Sequence, residues 1–169
     1  AAEAAIRPVI EGLLGEDLFP VTASDDEGRL LASYDGVTMD NVTGFEHKIF
    51  NEELAAAIRS GATEFPGGHQ WQLEQQCLIG GLKCVIFVCS DGTEEKMVWM
   101  EYRPVAGRAQ KLLAGWKQFG DDVRNYQHVE TPVKAVAEPV MALPAVRIEV
   151  SGAISLISNL DLFGAKLQA

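Results

Sequence analysis

Cysteine and histidine are scarce in this sequence, lysine and arginine are outnumbered, and long apolar runs are missing. The three cysteines, Cys77, Cys84 and Cys89, form no Cys-x-x-Cys pair and have no histidine cluster beside them. That excludes a disulfide framework or a zinc site of the usual spacing and leaves buried free thiols. No stretch approaches the roughly 18–20 apolar residues of a membrane span. The opening "AAEAAIRPVI" also lacks the basic start and apolar middle of a secretory signal. The expectation is a chain with no membrane partner, working in the cytoplasm. Lys and Arg total 14 against 24 Asp and Glu, a net charge of -10, which argues against a general binder of nucleic acid or anionic membranes. A local basic groove is compatible with that sum, because a bound metal ion offsets the carboxylates around it. There is no internal repeat and no low-complexity tract.

What is present suits one core: 169 residues, 47% of them hydrophobic. The chain opens inside a helical pattern, "AAEAAIRPVIEGLLG", with Gly15 as its stop and no cap ahead of it, so an earlier natural start is expected. "LFPVTASDD" and "RLLASYDG" read as strands joined by a polar turn, and "TGFEHKIF" as a third strand. "NEELAAAIRSG" is a helix capped by Asn51, and "GGHQWQLEQQCLIGG" a second, on which Gln72, Gln75, Gln76 and Ile79 share a stripe. "LKCVIFVCSDG" is a strand buried on both faces, and "EEKMVWMEYRP" its alternating partner across an Asp91-Gly92 turn. A long amphipathic helix, "VAGRAQKLLAGWKQFGDDVRNY", closes a domain spanning 1–127. Residues 128–144, rich in Pro, Ala and Val, read as a linker, and 145–169 as the start of a truncated C-terminal domain or tail.

The chemistry concentrates in "SYDGVTMDNVTGFEHK". Alternation puts Glu46 and Lys48 on one face of their strand and His47 on the other, with Asp35 at the end of the strand before. Two carboxylates with a lysine suit a hard divalent cation such as Mg²⁺, which takes oxygen ligands and keeps waters for exchange. Asp35 and Glu46 would be ligands, with the backbone carbonyl of His47 as a third. Lys48 would orient or deprotonate an attacking water and offset charge on a phosphorane-like transition state. The plainer alternative is a solvated Glu-x-Lys ion pair beside an ordinary Asp-Gly turn. His47 reads as a packed residue, not a base. The three tryptophans read as core or interface residues and not as a stacking platform. Arg108 and Lys111 read as a solvated helix face.

The order helix, strand, strand ending in Asp-Gly, strand with Glu-x-Lys, helix resembles the PD-(D/E)XK nuclease superfamily over most of 1–127. Within it, "LLASYDGVTMDNVTGFEHKIFNEEL" is similar to the YqaJ-type viral recombinase nucleases, the lambda-exonuclease-like phage enzymes. Tyr34 stands where the motif's proline is often replaced, and Asp35, Glu46 and Lys48 match the catalytic set one for one. "EAAIR" places Glu3 and Arg7 in the register of the family's helix motif, which implies Glu3 as a further acidic group at the metal. "WQLEQ" resembles a Gln-x-Gln element with Gln72 in the first position and Glu74 in place of the second.

The resemblance implies an α/β, restriction-endonuclease-like core with a central mixed sheet flanked by helices. It also implies a Mg²⁺-dependent (or Mn²⁺-dependent) phage or prophage deoxyribonuclease in a bacterial host. Such an enzyme would resect double-stranded DNA ends 5′ to 3′ for a single-strand annealing recombinase, as a toroidal homo-oligomer, a trimer. Rival readings are an endonuclease on the same metal centre, a non-catalytic scaffold for a recombination partner, and a CRISPR-type nuclease. The last carries four cysteines for an iron–sulfur cluster, and this chain has three.

Overall fold

Seven consecutive buried residues, Cys84–Ser90, form the central strand β4 of a five-stranded sheet. In the computed structural model, which describes residues 2–127, the strands are β1 (Phe19–Ser24), β2 (Leu31–Val37), β3 (Thr43–Ile49), β4 and β5 (Met97–Tyr102), adjacent in that order. All neighbours are antiparallel except β3 and β4, so the sheet is mixed. A parallel pair needs a crossover, and here it carries α2 (Glu52–Arg59) and α3 (His69–Gly80). Helix α1 (Ala2–Leu14) precedes the sheet and α4 (Arg108–Asn125) follows it. The linker and tail expected at 128–144 and 145–169 lie outside the described residues. Among the described residues, no helix is long and apolar enough to cross a membrane.

Because side chains alternate across a strand, β4 supplies both cores. Val85 and Phe87 pack with Tyr34, Leu54, Ile58 and Leu73 on one face. Ile86 and Val88 pack with Ile6, Ile10, Leu18 and Phe45 on the other. Local signals set the helix ends. Asn51 Oδ1 accepts from the Leu54 N–H at 3.0 Å to cap α2, and Gly15, at φ 72°, closes α1 by donating to the Glu11 carbonyl. The expected free thiols Cys77, Cys84 and Cys89 are all buried.

One irregularity matters for the site. Phe19 pairs with Val37 and Val21 with Tyr34, so Pro20 alone faces both Asp35 and Gly36. This is a β-bulge in β2, and a proline that cannot donate to the ladder suits the strand opposite. A Cβ on Gly36 would sit 2.8 Å from Leu18 Cβ, so only glycine fits there. On its other edge β2 pairs with β3 at Gly36 and Val37 alone. Below that point the strands part, and α3 attends to the exposed edge of β2. Gln75 Nε2 donates to the Leu31 carbonyl at 2.6 Å and Gln76 Nε2 to the Ser33 carbonyl at 2.9 Å.

Candidate active site

The fork between β2 and β3 is where the acidic residues meet. Asp35, half-buried in the bulge, uses Oδ2 to accept the His47 N–H at 2.8 Å, in place of a strand-to-strand bond. Burial raises its carboxyl above the ordinary 3.8; the His47 N–H opposes this, while the charges of Glu46 and Glu3 add to it.

Glu46 is only 3% exposed and points to the α3 side. Its Oε1 accepts from Lys48 Nζ at 2.6 Å and from Gln72 Nε2 at 2.8 Å, and its Oε2 from Gln76 Nε2 at 2.6 Å. Three donors thus hold a carboxylate that has about four acceptor positions, so one direction on Oε2 is left for a further partner. Lys48, less deeply buried, sits at the mouth of the cluster.

Gln76, which the sequence offers only as a member of the glutamine stripe, joins the candidate site. It is 1% exposed, its Oε1 is buried without a partner, and its main-chain carbonyl accepts the Tyr34 hydroxyl at 2.9 Å. The glutamine stripe, in which Gln72 and Gln76 stand four apart on one helix face, is the signal that could have found it. Glu74, read as the altered second glutamine, turns the other way. It is buried under α4, where Oε1 accepts from the Tyr102 hydroxyl at 2.6 Å and the Val105 N–H at 2.8 Å.

His47 faces α1, and its Nε2 lies 2.8 Å from Ser90 Oγ. Ser90 Oγ also accepts the Gly92 N–H at 3.3 Å, so the hydroxyl ties the imidazole to the turn after β4. Burial lowers the His47 pKa, keeping the ring neutral, as expected of a packed residue. Glu3 is bonded to Arg7 Nη2 at 2.5 Å, and its charge acts on both Asp35 and His47. His69, at the start of α3, packs its ring 6.0 Å from that of Phe87, and burial, then the charge of Lys48, lowers its pKa.

Two expectations fail outside the cluster. Arg108 is not on a solvated face: it is 8% exposed, donates to the Thr63 carbonyl and, at 3.1 Å, to Tyr102 Oη, and so backs the buried Glu74. Of the core and interface places expected for Trp71, Trp99 and Trp116, the core is the one that fails, since all three are partly exposed.

The side chains at the fork offer oxygen donors suited to a hard divalent cation: Asp35 and the free direction of Glu46. Mutual repulsion of Asp35 with Glu46 and Glu3 is what a cation would relieve. No three His, Cys, Asp or Glu side chains among the described residues already form a metal-binding group.

The chain matches no family model and no curated protein sequence. Its architecture, a mixed sheet flanked by helices, is a nuclease-like α/β fold, shared with solved exonuclease structures. One, LHK-Exo in complex with dAMP, aligns at TM-score 0.60 and 18% identity over 73% of this chain and 65% of that one. Another, the alkaline exonuclease LHK-Exo from Laribacter hongkongensis, aligns at TM-score 0.52 and 18% identity over 73% and 69%. The chain thus spans about two thirds of the length of the proteins it resembles, and at this identity the likeness is one of fold.

Proposed function

We propose that this chain is a Mg²⁺-dependent deoxyribonuclease of the PD-(D/E)XK type, with Mn²⁺ able to substitute. Its functional kin would be the YqaJ-type recombinase nucleases, resecting double-stranded DNA ends 5′ to 3′ for an annealing recombinase. The observation that carries this reading is the convergence of Asp35, Glu46 and Lys48 at the fork of β2 and β3, with Gln72 and Gln76 closing on Glu46. The alkaline exonuclease sharing the fold was solved with dAMP, a nucleoside monophosphate of the kind that stepwise DNA hydrolysis releases.

Hydrolysis forms a bond from water oxygen to phosphorus, breaks the ester bond to the leaving oxygen, and moves a proton from water to that oxygen. Asp35, Glu46, the His47 carbonyl and, through Asp35, Glu3 would hold the cation, which when bound polarises the phosphate. Lys48, fixed by Glu46, places an ammonium where charge builds on the phosphate oxygens and orients the water. Gln72, exposed at the mouth, keeps its carbonyl end for the water or the lysine. The neutral His47 ring, held against Ser90, helps to fix the residue whose N–H Asp35 holds.

A second reading, a catalytically silent scaffold, is favoured by the satisfaction of Glu46 by protein donors. Linear duplex labelled at either end, incubated with Mg²⁺ or EDTA, separates the two, with closed circular duplex as the test for endonuclease action. Metal-dependent loss of the 5′ ends is expected, falling about 10²–10³-fold or more in Lys48→Ala and Glu46→Gln. Digestion unaffected by either substitution would overturn the assignment, and a folded chain that ignores Mg²⁺ would favour the scaffold.

A further inference from the structure

The trough between α3 and α4 carries a second set of features that the metal cluster does not use. Two cavities of about 360 and 300 Å³ share Trp71 and Trp116 in their walls, forming one continuous depression. The two indoles are far apart in sequence, yet the fold brings them to one place. Both are accessible, at 38% and 41% exposure. Trp116 is also fixed in orientation. Its Nε1 donates to Gln75 Oε1 at 2.7 Å, Gln75 in turn is anchored on the Leu31 carbonyl, and Phe119 meets the indole edge-on at 5.8 Å. A partly exposed aromatic held this firmly loses little freedom on binding a flat ligand.

Charge says what kind of ligand. In a chain with 24 acidic residues, no carboxylate among the described residues lines the trough, and Lys111 is the one charged residue they place in its walls. Around the indoles the polar lining is amide and hydroxyl: Gln72, Gln75, Gln76 and Ser33. Gln75 and Gln76 are already committed within the fold, which leaves Gln72 and the Ser33 hydroxyl, both exposed, to meet base edges, and a lone lysine suits a phosphate. The trough is also continuous with the candidate active site, since Gln72 and Gln76 line it and donate to Glu46.

We infer that this trough binds single-stranded DNA, with unpaired bases stacked on Trp71 and Trp116 and the backbone met by Lys111. The inference rests on the nuclease reading and deepens it: a strand leaving or entering the Asp35–Glu46–Lys48 cluster is held by its bases, with little regard to sequence, because every base presents a π-face.

The test is tryptophan fluorescence of the full chain in EDTA, with Trp99→Phe to silence the third indole, titrated with oligothymidylate or an abasic strand of equal length. Quenching by oligothymidylate and not by the abasic strand is expected. Trp71→Leu or Trp116→Leu, which keep apolar bulk, should each weaken binding roughly ten-fold, the scale of one stacked base. Equal quenching by the abasic strand, or affinity retained in the double variant, would overturn the inference. So would an emission change that follows protein concentration and not DNA, which would mean that a second copy covers the indoles. The first comparison needs no substitution in the trough, so misfolding of a variant cannot decide it. Duplex digestion in Mg²⁺ is scored separately. Quenching without digestion removes the nuclease reading and leaves the trough, whereas digestion by a chain whose indoles ignore oligothymidylate removes the trough alone.

Discussion

Gln72 and Gln76 donate to the same carboxylate, but Gln72 is exposed and Gln76 only 1% exposed. Replacing each by leucine therefore deletes a bond to Glu46 in two different media, and at Gln76 a bond to the Ser33 carbonyl as well. In Gln72→Leu, water reaches the vacated position and Lys48 still holds Glu46 Oε1, so the cost should be at most about 0.5 kcal/mol. In Gln76→Leu, Glu46 Oε2 loses its one protein donor where water does not replace it, at about 3 kcal/mol for a charged acceptor. Removing the buried, unpartnered Oε1 of Gln76 offsets about 1 kcal/mol of this. The lost bond to the Ser33 carbonyl adds about 1 kcal/mol. The net loss is about 3 kcal/mol, or a fall in melting temperature of roughly 8–15 °C for a domain of this size. Thermal melts in EDTA measure it, and Glu46→Gln completes the cycle. With a neutral amide at position 46 no charge is stranded when the Gln76 amide is removed, so Gln76→Leu should cost about 1 kcal/mol less in that background. Equal costs for the two leucine variants, or no coupling to position 46, would refute the argument that access to water decides the worth of these bonds.

Asp35→Asn should stabilise the metal-free protein at neutral pH. The folded-state pKa of Asp35 is raised by burial, so the folded protein binds that proton more tightly and stability is lost as pH rises from about 3.8 through the raised value. The gain from Asp35→Asn should vanish on acidification below that window, and Mg²⁺ should reverse the order by stabilising the unmutated chain alone. A variant less stable than the unmutated chain in EDTA at neutral pH would contradict this. Arg108→Met should cost roughly 3 kcal/mol or more, because it leaves the Thr63 carbonyl and the Tyr102–Glu74 pair without their cation. Its denaturation midpoint reads this, and a loss under about 1 kcal/mol would show a solvated arginine. Gly36→Ala should cost about 1–3 kcal/mol through the contact with Leu18. It should also depress duplex digestion by shifting Asp35, and unchanged activity at unchanged stability would mean that the bulge does not set the site.

The elements were legible because their signals are local. The Asn51 cap, the alternation in "TGFEHKIF" and the unbroken apolar run of β4 each depend on a few neighbouring residues. The order of Asp35, Glu46 and Lys48 was legible for the same reason. What the residues alone withheld were properties of pairing between distant segments. A bulge at Asp35–Gly36 exists only relative to Pro20 on another strand. The choice of Gln76 over Glu74 depends on the rotation of α3 on the sheet. Arg108 looks like any surface arginine until Thr63 and Tyr102 close over it. Hydrophobicity alone offers the tryptophans a place in the core or at an interface, and only the packed sheet shows that none of the three is in the core.

The parallel pairing of β3 with β4 also bears on when the candidate site is completed during folding. Thr43 and Cys84 sit 41 positions apart, and such a closure is slow compared with the local β1–β2 hairpin. Asp35 is available as soon as that hairpin forms, but Gln72 and Gln76 reach Glu46 only after the crossover has docked. A nascent or partly unfolded chain would therefore carry Asp35, Glu46 and Lys48 without the two amides of α3, and on the proposed function its site would be completed only once the crossover has docked.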